Sequence, residues 1–321
     1  MTGALLELDD LHVEYPARRG TVRAVNGVSL RLERGMTLGL VGESGCGKST
    51  AGQAILQLIQ PPGRITGGRI VFEGRDMRDL SPEALRRLRG DRIAMIFQDP
   101  TSTLNPVMPV GAQIAELFRW HRSGVDGAEI RRRVVALLAR VGIDEPERRV
   151  RSYPHELSGG MRQRVVIACA LALDPALVVA DEPTTALDVT VQAQILELVR
   201  DLQTERGTAV LLISHDLGVI GEMCDRVAVM YAGVIVESGA VDDILERPRH
   251  PYTIGLVASR PRIGQPDQDI RPIPGSVPDL AKLPTGCAFH PRCALADEAC
   301  RNVTPALRTI GAQAVACHKA V

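Results

Sequence analysis

The chain is short of aromatic residues, of net charge, of lysine and of long apolar runs, and most of these shortages remove a class of function. Phe, Trp and Tyr make up 3% of the 321 residues, too few for the aromatic platforms on which single-stranded nucleic acids stack. Basic and acidic residues balance at 38 each, so no global field draws the chain to nucleic acid or to an anionic surface. Lys48, Lys282 and Lys319 are the only lysines; that bias toward arginine carries no functional reading. No apolar run approaches the ~20 residues of a membrane-spanning helix, and the first residues lack a signal peptide's charged-then-apolar layout. We therefore expect a soluble chain of the cytosol. Its length suffices for a full hydrophobic core in one large or two modest domains.

Glycine, in contrast, is concentrated where chemistry needs it. Gly42-Glu43-Ser44-Gly45-Cys46-Gly47-Lys48-Ser49-Thr50 follows the apolar run 38–41 and precedes the helix-compatible segment 51–59. Strand, glycine-rich loop and helix in that order form a phosphate site. Gly42, Gly45 and Gly47 allow turns that bring successive N–H groups around a phosphate chain, and Ser44 and Cys46 fill out the loop. The helix behind, opening through Thr50, adds the positive end of its dipole. Lys48 is placed to reach the β- and γ-phosphates and Ser49 to ligate Mg²⁺. The sequence thus predicts a site for a nucleoside triphosphate such as ATP.

Strands are expected over 5–15 and 22–32, from alternating apolar positions, and over 69–72 and 92–97. Tyr15 ends the first; it is placed equally well to stack on an adenine ring or to pack half into the core. Gln98, beyond a parallel strand, could reach Mg²⁺ or an attacking water, though alone it reads as a surface residue. Helical periodicity over 111–120 and 128–141 follows the turn-rich 100–109, which suggests a lobe that moves or docks. Ser158, Gly159 and Gly160 open a long apolar helix. They make either a plain N-cap or a second anion-binding nest, and a second nest is useful only for a nucleotide held by another subunit. The buried run 176–180 delivers Asp181 and Glu182 to a strand edge, Asp181 for Mg²⁺ and Glu182 to orient or deprotonate water. Ala186-Leu187-Asp188 marks a turn, and His215 ends the strand 209–213, where it could touch a γ-phosphate or be merely structural.

The order GESGCGKST, Gln98, LSGGMRQ, ALVVADE, ALD and His215 resembles the nucleotide-binding domain of an ABC transporter, in particular the ATPases of oligopeptide, dipeptide and nickel importers. The resemblance covers nearly the whole chain and implies an α/β fold: a phosphate-loop ATPase core with a parallel sheet, an antiparallel N-terminal sheet and a helical subdomain at about 99–160. Residues 1–232 would form this domain and 233–321 a cysteine-bearing C-terminal extension. The resemblance implies adenine stacking by Tyr15, coupling to a permease through Gln98 and γ-phosphate sensing by His215. It also implies two such ATPase subunits, homologous and non-identical, closing head to tail. Lys48 and Glu182 of one would then meet Ser158 and Gly160 of the other across ATP. The remaining implied partners are two membrane permeases and, through them, an extracytoplasmic substrate-binding protein, with the chain peripheral on the cytoplasmic face of the inner membrane and no nucleic acid bound.

The extension begins with a short helix at His250-Pro251-Tyr252-Thr253 and a proline-rich strap over 261–284. It then carries Cys287, Cys293, Cys300 and Cys317, separated by five, six and sixteen residues. Cytosolic thiols stay reduced, which disfavours disulfides. Structural zinc sites use tighter pairs, whereas an iron–sulfur cluster also takes four thiolates, so a [4Fe-4S] cluster is expected, with zinc or free thiols as alternatives. His290 and His318, each near a cysteine, could substitute as ligands, though they read more readily as surface residues. In so proline-rich a tail, a bound metal is expected to supply much of the order. Rival readings are an ATPase acting on nucleic acid or ribosomes, which usually carries a second ATPase domain or a basic extension, and a redox-sensing regulator.

Overall fold

The computed structural model describes residues 3–18, 20–183, 189–259 and 272–321, apart from the side chains of 189, 190 and 202. The strands are β1 (Leu6–Ala17), β2 (Gly20–Leu32), β3 (Thr37–Val41), β4 (Arg64–Phe72), β5 (Arg75–Asp76), β6 (Ile93–Ile96), β7 (Leu177–Asp181), β8 (Ala209–Ser214), β9 (Arg226–Tyr231), β10 (Val234–Ala240), β11 (Arg308–Ile310) and β12 (Gln313–Val315). The residues fall into two compact units. One holds the chain up to Glu33, Thr37–Asp79 and everything from Leu212 onward; the other holds Arg34–Met36 and Leu80–Leu211. The turn expected at Ala186-Leu187-Asp188 and the first part of the strap lie outside the described residues.

In the first unit, β1 alternates because one face is covered: Leu6, Leu8, Leu11 and Val13 are buried. It pairs antiparallel with β2 and β4, and β5 completes the order β2-β1-β4-β5. A second ladder runs β11-β12-β10-β9-β3. Within it β3 is fully buried and parallel to β9, as a strand covered on both faces should be. The tail does not hang from this unit: β12 adds to the edge of β10, pairing Glu237 with Val315. Val315, Cys317 and Ala320 bury one another beside Ile310. The tail thus has packed apolar residues in addition to any order a bound metal was expected to supply. Strand addition supplies main-chain hydrogen bonds that no local pattern in the tail announces.

The helix after the phosphate loop spans Lys48–Ile55, shorter than its apolar pattern suggests. Gln57 takes a left-handed backbone, φ 54°, which a helix cannot continue through.

In the second unit β6 and β7 run parallel and fully buried, in register from Ile93–Leu177 to Ile96–Ala180; β8 enters beside β7, its Ala209 N–H donating to Ala176 O at 2.9 Å. The helices Val110–His121 and Gly127–Arg140 bury Ile114 and Phe118, and Ile130, Val134 and Leu138, at the i, i+4 spacing of one helix face. Asp126 caps the second through Ala128 N–H. The stretch 100–109, expected as turns alone, contains one helical turn, Pro100–Thr103. Asp99 creates it by accepting from the N–H groups of Thr101 and Ser102.

Candidate nucleotide site

The phosphate loop is built by β3 and closed by its glycines. Gly47 has φ 108°, and a Cβ there would stand 2.0 Å from Ala24 O; one on Gly42 would stand 2.2 Å from Met230 O. No other residue passes those points. Lys48 opens the helix and is buried. Its Nζ folds back over the loop, donating to Gly42 O at 2.8 Å and Glu43 O at 3.0 Å. The ammonium thus lies inside a loop whose glycine backbone is shaped to surround an anion. Cys46 is fully buried, and burial raises its thiol above the ordinary range, so it stays protonated at neutral pH.

Glu43 departs from the pattern of an anion cradle, being an acid within it. Its backbone N–H donates to Tyr252 Oη at 2.8 Å, and its carboxylate takes two bonds from Arg292, at 2.7 and 3.0 Å. Neither partner was singled out in the sequence as a site residue. Both lie more than 200 positions away, and only the fold brings them to the loop. Tyr15 is half-buried near the end of β1, its ring against Gly63, where an added Cβ would stand 2.3 Å from Cε1. That contact fits the packing reading and leaves the stacking role to experiment. His215 is exposed at the end of β8, next to Ser214, whose hydroxyl accepts from Asp216 N–H.

The second unit holds Asp181 and Glu182. Asp181 ends β7 and is buried; Glu182 follows, half-buried. Glu182 has φ 46°, a conformation that costs an L-residue roughly 1–2 kcal/mol. Two devices hold this turn. Gln98 Nε2 donates to Glu182 Oε2 at 3.0 Å, and buried Gln163 donates to the carbonyl of Pro183 at 2.8 Å. Gln163 belongs to the LSGGMRQ stretch; its amide is a signal the sequence held without revealing the target. Ser158 caps the helix Gly159–Leu171 by accepting from Met161 N–H at 3.3 Å. The plain N-cap is therefore present, and among the described residues no other element lies within 4 Å of a Cβ placed on Gly159.

The four tail cysteines are free thiols. Cys287 N–H donates to Cys300 O at 2.8 Å; burial raises the thiols of Cys287 and Cys293, and Cys300 and Cys317 raise both further, so the four lie near one another. Among the described residues, however, no group of three or more His, Cys, Asp or Glu is arranged to hold a metal ion. His290 Nδ1 and His318 Nε2 instead contact the carbonyls of Cys287 and Val303.

A Ser-Gly-Gly helix start in addition to a phosphate loop separates one class of phosphate-loop ATPases from the rest. The family model described as "ABC transporter" matches residues 25–185, and the chain belongs to that family of ATPases. Its tail narrows the class: the model "Oligopeptide/dipeptide transporter, C-terminal region" matches residues 236–300. The chain is 53% identical over 295 residues to the oligopeptide transport ATP-binding protein OppD of Bacillus subtilis, covering 91% of this chain and 82% of that one. It is 47% identical over 302 residues to the dipeptide transport ATP-binding protein DppD of the same organism, covering 94% and 90%. Among solved structures, the dimeric post-hydrolysis state of the ATP-binding cassette MJ0796 bound to ADP and Pi is 28% identical, with TM-score 0.68, covering 74% of this chain and 98% of that one. No helix among the described residues is long and apolar enough to cross a membrane.

Proposed function

We propose that this chain hydrolyses ATP to power the import of di- or oligopeptides, as one of two ATPase subunits under a pair of membrane permeases. The observation that carries the peptide assignment is the tail match at residues 236–300, supported by the peptide-transport names of the relatives. Nickel or another small solute is the alternative cargo, because the cargo is chosen by the permeases and the extracytoplasmic binding protein. The chain itself would sit peripherally on the cytoplasmic face of the membrane.

In this reading Lys48 and the loop N–H groups hold the β- and γ-phosphates. Ser49, Asp181 and the Gln98 amide oxygen are hard oxygen donors of the kind Mg²⁺ takes, and the bound cation would neutralise charge on the phosphates. With Gln98 Nε2 engaged by Glu182, Oε1 is the amide atom left to a cation or water. Glu182 orients the attacking water and takes its proton. Tyr15 stacks on adenine and His215 senses the γ-phosphate. Ser158, Gly159 and Gly160 address the partner subunit's nucleotide. Gly159 supports this, since among the described residues nothing crowds its Cβ position and the glycine is open to an outside group. Sharing the site makes hydrolysis conditional on closure, and closure can drive a permease.

A cytosolic helix of the permease would dock on the helical lobe and the loop 99–109. Beside the lobe, a cavity of about 760 Å³ is lined by Glu83, Arg86, Arg87, Asp91, Trp120 and His121, and Trp120 is 66% exposed. The gathering of Cys287, Cys293, Cys300 and Cys317 supports a metal held by the tail, iron–sulfur or zinc, with no part in hydrolysis; colourless, metal-free protein from anaerobic purification overturns that part. The whole reading is tested by purifying the chain from detergent-solubilised membranes. Two permeases and ATP-dependent peptide uptake in proteoliposomes are expected; co-purifying ribosomes or DNA would refute it.

A further inference from the structure

Glu43 poses an electrostatic problem that the tail solves. A carboxylate two residues into an anion-binding loop repels the phosphates the loop exists to hold. Arg292 meets it with a bidentate pair, Nη1 to Oε2 at 2.7 Å and Nη2 to Oε1 at 3.0 Å, with the arginine side chain only 4% exposed. The remaining donors of that guanidinium are also used: Nε donates to Pro274 O at 2.8 Å, Nη2 to Ile273 O and Nη1 to Tyr231 Oη, both at 3.4 Å. Glu43 in turn holds Arg292 further above its already high pKa.

The pair is seated in an aromatic cluster. Tyr231, Tyr252 and Phe289 meet with ring centroids 4.6, 5.2 and 5.4 Å apart, in a chain with only four tyrosines and four phenylalanines. The guanidinium lies 5.8 Å from the centroids of Tyr231 and Phe289. Tyr252 brings its hydroxyl to the N–H of Glu43, so this one loop N–H is committed to the tail. Burial pushes the Tyr252 phenol well above its usual range, which keeps it neutral.

We propose that the C-terminal tail is a working part of the nucleotide site: Arg292 neutralises Glu43 and Tyr252 pins its backbone, so that together they hold the phosphate loop in its ATP-binding shape. Arg292 and Tyr252 are positioning residues, acting through Glu43. The proposal rests on reading 42–50 as the ATP phosphate loop. It predicts that ATP affinity depends on a residue 249 positions from that loop.

The test is ATP binding to the full chain, with folding followed by thermal melting. Arg292→Ala should raise the Kd by about tenfold, within the usual range of coupling between linked groups. Adding Glu43→Gln to it should restore most of the affinity, because the uncompensated charge is gone. Tyr252→Phe, which keeps the ring and removes the hydroxyl, should weaken binding with little change in melting. Arg292→Lys should rescue only part, since an ammonium cannot make the bidentate pair. Unchanged Kd in both Arg292→Ala and Tyr252→Phe overturns the proposal. So does a defect in Arg292→Ala that Glu43→Gln fails to relieve, which would mark a purely structural arginine. Lys48→Ala separates the two levels: if it binds ATP normally, the reading of the loop itself has failed.

Discussion

Gln98 donates through its side-chain amide to Oε2 of Glu182 at 3.0 Å, and each residue lies two positions beyond a paired couple, Ile96 and Ala180, of adjacent parallel strands. Register thus places an amide against a carboxylate at one strand edge. The bond also braces Glu182, which sits in a left-handed turn.

Loss of that clamp should show in turnover and spare binding. Gln98→Ala is expected to lower kcat of the assembled ATPase by about 10²-fold, the usual consequence of an ångström-scale misplacement of a reacting group. Kd for ATP measured without Mg²⁺ should change little. Steady-state kinetics with a separate binding titration check this, and a large loss of affinity with unchanged kcat would contradict it.

The backbone strain at Glu182 makes a prediction about stability. At φ 46° a Cβ is disfavoured, so Glu182→Gly should be more stable than Glu182→Ala by about 1 kcal/mol. Both should be inactive. Urea unfolding of the two variants gives the comparison; equal stabilities would mean that the turn relaxes without the carboxylate.

Gly159→Asp should fold and bind ATP as an isolated chain, since a Cβ there meets nothing within 4 Å. The assembled complex should lose hydrolysis, because a carboxylate would oppose the partner's phosphates. Failure of the folded, isolated variant to bind ATP would contradict the assignment.

Acid should loosen the tail through His250. The ring is buried and its Nδ1 accepts from Tyr252 N–H at 3.0 Å. Burial lowers its pKa from 6.5 to about 4. A depressed folded-state pKa means that the unfolded chain binds the proton first. The contribution is therefore whole above pH 6.5 and is lost as pH falls toward about 4. It amounts to roughly 3 kcal/mol at most. His250→Asn keeps a capping oxygen and should flatten the fall in denaturation midpoint between pH 7 and 5; an unaltered slope would exclude His250 as the cause.

The sequence exposed the parts of this fold that are local. Glycines at fixed spacing ahead of a helix, five apolar residues running into Asp181-Glu182, and Ser158 before Gly159-Gly160 all declare themselves within a few positions. Three features did not. The Arg292–Glu43 pair joins residues 249 apart, and a single arginine in the tail gives no sign of its target. Gln163 reads as one more polar residue on a helix until the chain returns at Pro183. The tail's core arises by pairing with β10, and edge pairing leaves no periodicity of its own. The cysteines were the reverse case, conspicuous in sequence and gathered by the fold without forming a ligand set among the described residues.

The central claim is that Glu182 turns ATP binding into hydrolysis, and that hydrolysis drives import. The direct measurement is ATP turnover and peptide uptake by proteoliposomes carrying the complete transporter with Glu182→Gln in this chain. The account predicts that ATP still binds while turnover falls by roughly 10²–10⁴-fold and uptake falls with it. Wild-type turnover in that variant would contradict it.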